Sequence, residues 1–512
     1  MKAVLSVLAV LVTVHILMLS TIRIYPMNDL PCHLAVSTIH RHYGGPSDHF
    51  AEYYNIDLFP GPNCLHPLFC GLRIFPDVEA GNRVYFALYL ALLPLSLLLI
   101  ARRVGRNAWL ALLALLLLYN MSFRWGFAGY TMAIPLTMLT LYIYLVSLES
   151  RRARDKAIVA VALSGLFFTH AMAGLYCALL IVMSVVIHNR RSFRAGLREM
   201  LPVVPFAALV LWWAISSPAG RGNMLGEVLE YYCSEYLRSL AGRSGILFND
   251  HRHLFGGQLG RTVGTLFSLC IVGPLVAGLL VRAKSFRKSL RRPEVKSVFF
   301  FLLVTLACYL LLPARAGGVY FINRRLSVFV LIWSVVLLAS IFPRSLSRPW
   351  VAALCVLCVA HAALWGSYFQ AFERENELFV REFLPRESSG KTLISLVHNR
   401  NFRGAPVYSN FGDYHVVWNL GITKGLFAQY KFFGVSPRKP EEWPRPKWRG
   451  KPNTRERLGP YSTSDFILTR GVSGPWASVY LRGFRQKRSA GKWVLYEKDS
   501  DAGPGPTSPR TE

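Results

Sequence analysis

The sequence predicts a polytopic α-helical membrane protein of about eleven transmembrane helices, carrying a small extracytoplasmic α/β or α+β C-terminal domain. Three observations predict it. Of 512 residues, 53% are hydrophobic and only 17% charged, against about 25% charged in soluble proteins, and the mean hydropathy is +0.33. Apolar runs long enough for a membrane helix, roughly 17–25 residues or slightly less, recur along the first 369 positions. Basic residues then cluster in every second connection between those runs. Together these exclude disordered, fibrous and ordinary secreted classes.

The expected spans are Ala3–Ile24, Val84–Ala101, Ala108–Met121, Ala128–Leu148, Ala157–Ala173, Leu175–His188, Leu201–Ser216, Thr262–Val281, Ser297–Pro313, Leu326–Phe342 and Trp350–Phe369. The apolar run of the first is too long for a signal-peptide core and no clear small-residue cleavage site follows it, so it reads as an uncleaved span. Short basic connections follow spans two (Arg102, Arg103, Arg106), four (Arg151, Arg152, Arg154, Lys156), six (Arg190, Arg191, Arg194, Arg198), eight (Arg282 to Lys296) and ten (Arg344, Arg348). Cytoplasmic loops carry this excess. Much of the formal net charge of +30 is therefore a topology signal, and no nucleic-acid partner is expected.

Three large segments then fall on the extracytoplasmic side: Tyr25–Arg83, Ser217–Arg261 and the tail Gln370–Glu512. The domain reading is a transmembrane domain, 1–369, with long outer loops at 25–83 and 217–261; an extracytoplasmic domain, 370–500; and a disordered tail, 501–512. In the first loop Asp29-Leu30-Pro31 has the form of a helix start, predicting a helix over Pro31–Tyr43 with a mixed face suited to the membrane surface. A second short helix is expected over His66–Phe75. In the tail, a charged helix over Gln370–Leu384 precedes strand-like runs at Thr392–Val397, Pro406–Ser409, Asp465–Thr469 and Trp493–Tyr496. Of nine Cys, Cys32, Cys64, Cys70 and Cys233 lie in outer loops, where a disulfide and separate buried thiols are both open readings.

Asp29 is the sharpest candidate for chemistry. A carboxylate just beyond span one meets both water and lipid-borne substrates, and suits a general base; capping the following helix is the alternative role, and the two are compatible. His33, one turn later, shares its face and is a candidate for orienting a substrate. Asp57 is a second acidic candidate. Arg124, in the turn between spans three and four, and Arg324 and Arg325, before span ten, are arginines on the outer side, against the positive-inside bias. Guanidinium groups suit a diphosphate or lipid phosphate. His170 lies near the outer end of span five and is an intramembrane ionisable group. No metal-ligand set is recognised, though a divalent metal stays open. There is no P-loop, Rossmann fingerprint, zincin motif or nucleophile elbow.

An acidic residue after span one, a long first outer loop, many spans and an outer C-terminal domain together resemble the C-type glycosyltransferase superfamily. The resemblance covers roughly Met1–Leu148, with the tail runs Asp465–Arg470 and Gly491–Tyr496 similar to the closing strands of uncharacterised bacterial members. It implies an enzyme of the bacterial inner membrane that moves a hexosyl or pentosyl group from a polyprenyl-phosphate-linked sugar donor to a lipid or glycan acceptor on the outer face. Asp29 matches the position of the family's catalytic acidic residue. The sequence departs from the family between spans three and four, where Asn120, Arg124 and Trp125 stand without the second carboxylate many members carry. A lipid or glycan transporter (flippase) and a non-catalytic envelope assembly protein, its basic Arg438–Arg457 segment on an anionic glycan or lipid headgroups, are the alternative functions.

Overall fold

The computed structural model describes residues 2–45, 49–56, 61–105, 107–150, 152–188, 192–216, 224–234, 236, 257–316, 319–342, 346–385, 391–424, 434–438, 464–472 and 480–499. Asp57, most of 217–261, residues 439–457 of the basic segment and 501–512 lie outside them. The chain forms two compact units: Met1–Thr21 with Val84–Tyr368, and Ile22–Arg83 with Phe369–Glu512.

Among the described residues, ten helices are long and apolar enough to cross a membrane: Lys2–Ser20, Val78–Val104, Ala108–Trp125, Ala128–Ser150, Ala153–His188, Arg194–Ser216, Gln258–Val281, Pro293–Leu311, Arg324–Ile341 and Arg348–Glu375. The protein is thus a multi-pass helical membrane protein. Pro94, Pro135 and Pro274 lie inside these helices, as a bundle tolerates where neighbours satisfy the freed backbone groups.

The count is one below the expected eleven because Ala157–Ala173 and Leu175–His188 are two arms of one helix. Ala153–His188 has 36 residues and leaves helical geometry at His170, where φ −166° and ψ 109° describe extended backbone. A straight helix of that length would span ~54 Å. Instead Lys156, near its start, pairs with Glu199, beyond its end, at 2.7 Å. Tyr130 meets His170 at 4.9 Å between ring centroids, and Tyr144 lies beside Ser184. The second arm therefore runs parallel to Ala128–Ser150, and the first runs back against it. Each arm rises ~26 Å, close to the hydrocarbon thickness of about 30 Å. The helix turns back at His170, and the alternation of connections is preserved.

Five basic connections do converge on one face of the bundle. Arg103 pairs with Glu149 and, at 3.9 Å, with Glu294. Arg292 Nη1 donates to the Val104 carbonyl at 2.9 Å, and Arg282 Nη1 to that of Ile341 at 3.5 Å. These contacts tie the ends after spans two, four, eight and ten; the Lys156–Glu199 pair adds the sixth.

The second unit is built on a mixed sheet of five strands in the order Phe484–Ala490, Trp493–Lys498, Phe466–Arg470, Thr392–Val397 and Ile422–Thr423. The first three run antiparallel in turn, and Thr392–Val397 is parallel to both its neighbours. The edge strand reads Phe-Arg-Gln-Lys-Arg-Ser-Ala, with its charged side chains exposed, which blunts edge-to-edge association. The helix of the long first loop, Leu30–His42, is buried at every position from Leu30 to Ile39. Cys32, Ala35, Val36, Ile39, Phe50 and Tyr54 share a core with Val416, Ile422 and Val435, and Tyr54–Ile56 pairs antiparallel with Val435–Pro437. Burying each large aliphatic side chain contributes about 1.5–3 kcal/mol.

Three expectations change here. The 25–83 loop shares its core with the tail, whereas the sequence grouped it with the spans. Its first helix is an interior element, not one with a face left for the membrane surface. The charged helix expected over Gln370–Leu384 stops early: the last span runs to Glu375, and only a short 3-10 turn, Arg381–Phe383, follows.

Candidate functional site

Six of the seven candidate residues fall into two constellations, one in each unit, and the seventh, Asp57, lies outside the described residues.

Asp29 occupies the N-cap position of Leu30–His42, with a proline in the first turn, yet its side chain makes no capping bond. The backbone carbonyl starts the helix, accepting from His33 N–H at 3.2 Å. The carboxylate is used differently. Oδ1 accepts from Asn28 Nδ2 at 2.7 Å and from Asn410 Nδ2 at 3.1 Å. Asp29 is 8% exposed and Asn410 3%. The capping alternative thus accounts for the position but not for the side chain.

A second buried carboxylate, Asp413, stands at the start of Tyr414–Asn419, a helix packed on Leu30–His42. It also makes no side-chain cap. Burial pushes the Cys32 thiol well above its usual range, and the charges of Asp413 and Asp29 push it further. Burial, then Asp413, does the same to the Tyr54 hydroxyl. Two carboxylates therefore flank the inner face of one helix.

His33 is buried on the turn after Asp29 and meets the His66 ring edge-on, at 5.5 Å. His66 Nε2 donates to Asn82 Oδ1 at 3.0 Å, and burial lowers its pKa to about 4, with the Asn82 bond opposing. His33 thus stands beside a neutral, bonded imidazole. Among the described residues no group of three or more His, Cys, Asp or Glu has the arrangement to hold a metal ion. No disulfide forms among them either: Cys32, Cys64 and Cys70 are separate buried thiols.

In the helical unit the structure brings His170 and Arg325 together. Arg325 Nη1 donates to His170 Nε2 at 2.9 Å. The guanidinium carbon stands 4.1 Å from the Phe127 ring centroid and 5.5 Å from that of Tyr130. Tyr130 Oη closes the arrangement, donating to the Arg325 carbonyl at 3.0 Å. Since a guanidinium only donates, Nε2 is the acceptor and the imidazole carries its proton on Nδ1. Aromatic faces and an imidazole lone pair suit a cation that must stay charged while 8% exposed. Arg324 lies alongside, its guanidinium 5.4 Å from the Phe321 ring.

Arg124 belongs to the same neighbourhood. Asn120 caps Met121–Trp125, its Oδ1 accepting from Ser122 and Phe123 N–H, and Gly126 ends the helix with φ +77°. Trp125, next to Arg124, packs on Phe321 at 4.6 Å. The three arginines named from the sequence thus cluster at the face opposite the basic connections.

Sequence reasoning missed Asn28, Asn410 and Asp413. The run Ser409-Asn410-Phe411-Gly412-Asp413 carries a turn composition, but nothing in it points to a residue almost four hundred positions earlier. Chemically, the first constellation offers a fixed carboxylate able to take a proton. The second offers guanidinium groups able to bind an anion. No protein-family model matches the chain, and no curated protein matches it.

Proposed function

We propose that the protein is an integral-membrane glycosyltransferase that moves a sugar from a polyprenyl-phosphate carrier to a lipid or glycan acceptor on the outer face of the membrane. The observation that carries this reading is the Asp29 carboxylate: it comes in the segment after the first span, Lys2–Ser20, is buried, makes no side-chain capping bond, and is gripped through one oxygen by two amides. Proteins bury a carboxylate at a cost, and this one makes no side-chain capping bond to its own helix.

In the proposed reaction the acceptor hydroxyl gives its proton to Asp29 as its oxygen attacks the anomeric carbon. The bond from that carbon to the carrier phosphate breaks, with inversion, and the phosphate leaves with the bonding pair. Electrostatic stabilisation of the leaving phosphate is the kind of interaction that contributes most to such rates, and guanidinium groups such as those of Arg124, Arg324 and Arg325 suit a lipid phosphate. The five basic connections on one face support a cytoplasmic placement of that face, and thus an extracytoplasmic placement of the tail domain. Membrane lipids surround the spans. Reconstituted protein supplied with radiolabelled polyprenyl-phosphate sugar tests the reading: transfer to acceptor is expected, and its loss in D29N.

A second reading is a lipid or glycan flippase. The interruption at His170, with an arginine bonded at the break, favours it, because transporters place sites at broken helices. The break separates two arms of full membrane length, whereas transporter sites lie near the bilayer midplane, so it supports transport less than the carboxylate supports transfer. Movement of carrier into sealed vesicles without a covalent product would favour this alternative.

A further inference from the structure

The Asp29 carboxylate is held from the far end of the chain. Asn410 Nδ2 donates both to Asp29 Oδ1, at 3.1 Å, and to the Asn28 carbonyl, at 3.1 Å. Ser409 N–H donates to Asn28 Oδ1 at 3.3 Å, and Asn28 Nδ2 returns a bond to Asp29 Oδ1 at 2.7 Å. The donors and acceptors fix both amide orientations, since every nitrogen donates and every oxygen accepts. The result is a closed clasp between Asn28-Asp29 and Ser409-Asn410.

The tail side of the clasp is rigidly seated. Tyr408 stacks on Phe372 at 5.6 Å, and Phe411 on Trp493 at 5.4 Å with a 9° interplanar angle. Asp413 N–H donates to the Asn410 carbonyl at 3.0 Å. Asn410 therefore approaches Asp29 as a preset donor, with its side-chain freedom already spent on a second bond. A carboxylate on an isolated loop would rotate about its last torsion; two donors on Oδ1 set that rotation.

We infer that Asn410 is a positioning residue for Asp29: the tail domain orients the base rather than merely following it. This rests on the glycosyltransferase reading above. Positioning of this kind acts on the chemical step, because proton transfer needs a fixed oxygen within hydrogen-bond reach of the acceptor hydroxyl.

The test uses the full-length protein in detergent or vesicles, with radiolabelled polyprenyl-phosphate sugar as donor, and compares N410A, N410D and D29N. N410A is expected to lower kcat roughly 10–100-fold, with donor KM near wild type, the range that loss of a supporting partner gives elsewhere. The acidic limb of its rate–pH profile moves to higher pH, since a donor to the carboxylate is gone. N410D matches asparagine in size, so it fills the same space should N410A fail to assemble; it replaces the donor with a carboxylate beside Asp29, so its limb moves further. The other titratable groups on the packed elements, Cys32, His33, Asp413 and His415, are the same in all variants. An unmoved acidic limb in both Asn410 variants, whatever their kcat, with D29N inactive, overturns the positioning role and leaves the transfer reading standing. Full activity in D29N overturns the transfer reading itself.

Discussion

Arg325 donates to His170 at the one residue where the helix Ala153–His188 leaves helical geometry. Two sequence-distant, ionisable side chains thereby meet at the turn-back of a membrane helix, against the rings of Phe127 and Tyr130. The extended residue His170 frees its imidazole from the helix surface, and the imidazole fixes one edge of the guanidinium.

If that guanidinium grips a carrier phosphate, its shape matters as well as its charge. Lysine keeps the charge but loses the planar fork and the stacking. R325K is expected to lower kcat/KM for the polyprenyl-phosphate donor about 10–100-fold, and H170A less, since it removes only the support. Steady-state kinetics of sugar transfer checks both. Wild-type kinetics in R325K would remove Arg325 from the donor site.

The turn-back also depends on Gly129. A Cβ there would stand 2.6 Å from the Thr169 carbonyl oxygen, a backbone atom that cannot step aside. G129A is expected to destabilise the protein by about 1–3 kcal/mol, read as a lower midpoint of thermal unfolding in detergent. Gly165, on the first arm of the same helix, has open space around its Cβ position. G165A is therefore expected to leave the midpoint unchanged or raise it by helix propensity. Equal effects of the two substitutions would contradict the close approach at Gly129.

The second unit carries an acid-sensitive pair. His66 and His415 are fully buried, and burial lowers the pKa of each from 6.5 to about 4. The folded state thus binds these protons less readily than the unfolded chain. The associated stability is fully present above pH 6.5 and is lost as pH falls toward about 4. Between pH 7.5 and 5 the loss is roughly 2 kcal/mol for each histidine. Thermal unfolding followed by tryptophan fluorescence should show the midpoint falling over that interval, and H66N should flatten part of the fall. A midpoint independent of pH from 7.5 to 5 would contradict the burial of these rings.

What the sequence revealed and what it concealed divide along the range of the interactions. Apolar runs and basic connections are local signals, and they located each membrane arm, including the two joined at His170. The extended residue, His170 in Phe168-Thr169-His170, carries no proline or turn composition to mark a break, so the joining itself was hidden. The strands Thr392–Val397 and Trp493–Lys498 were legible from β-branched and aromatic residues, and the helix Leu30–His42 from Asp-Leu-Pro and the following glycines. Its burial was not, because the partners Val416, Ile422 and Val435 lie far along the chain. Asp29 stood out by its place after the first span, whereas Asn410 is one polar residue in a turn. Only the folded pairing of loop and tail distinguishes it.

The central claim is that Asp29 accepts the acceptor's proton during transfer. D29N is close to isosteric, and Asn28 and Asn410 retain an oxygen to bond. The most direct measurement is sugar transfer by reconstituted wild type and D29N from a radiolabelled polyprenyl-phosphate donor, with thermal unfolding as the check on folding. The account predicts a stable D29N protein whose transfer rate falls by at least ~10²-fold, in line with loss of a general base. A folded D29N protein that transfers sugar at the wild-type rate would contradict it.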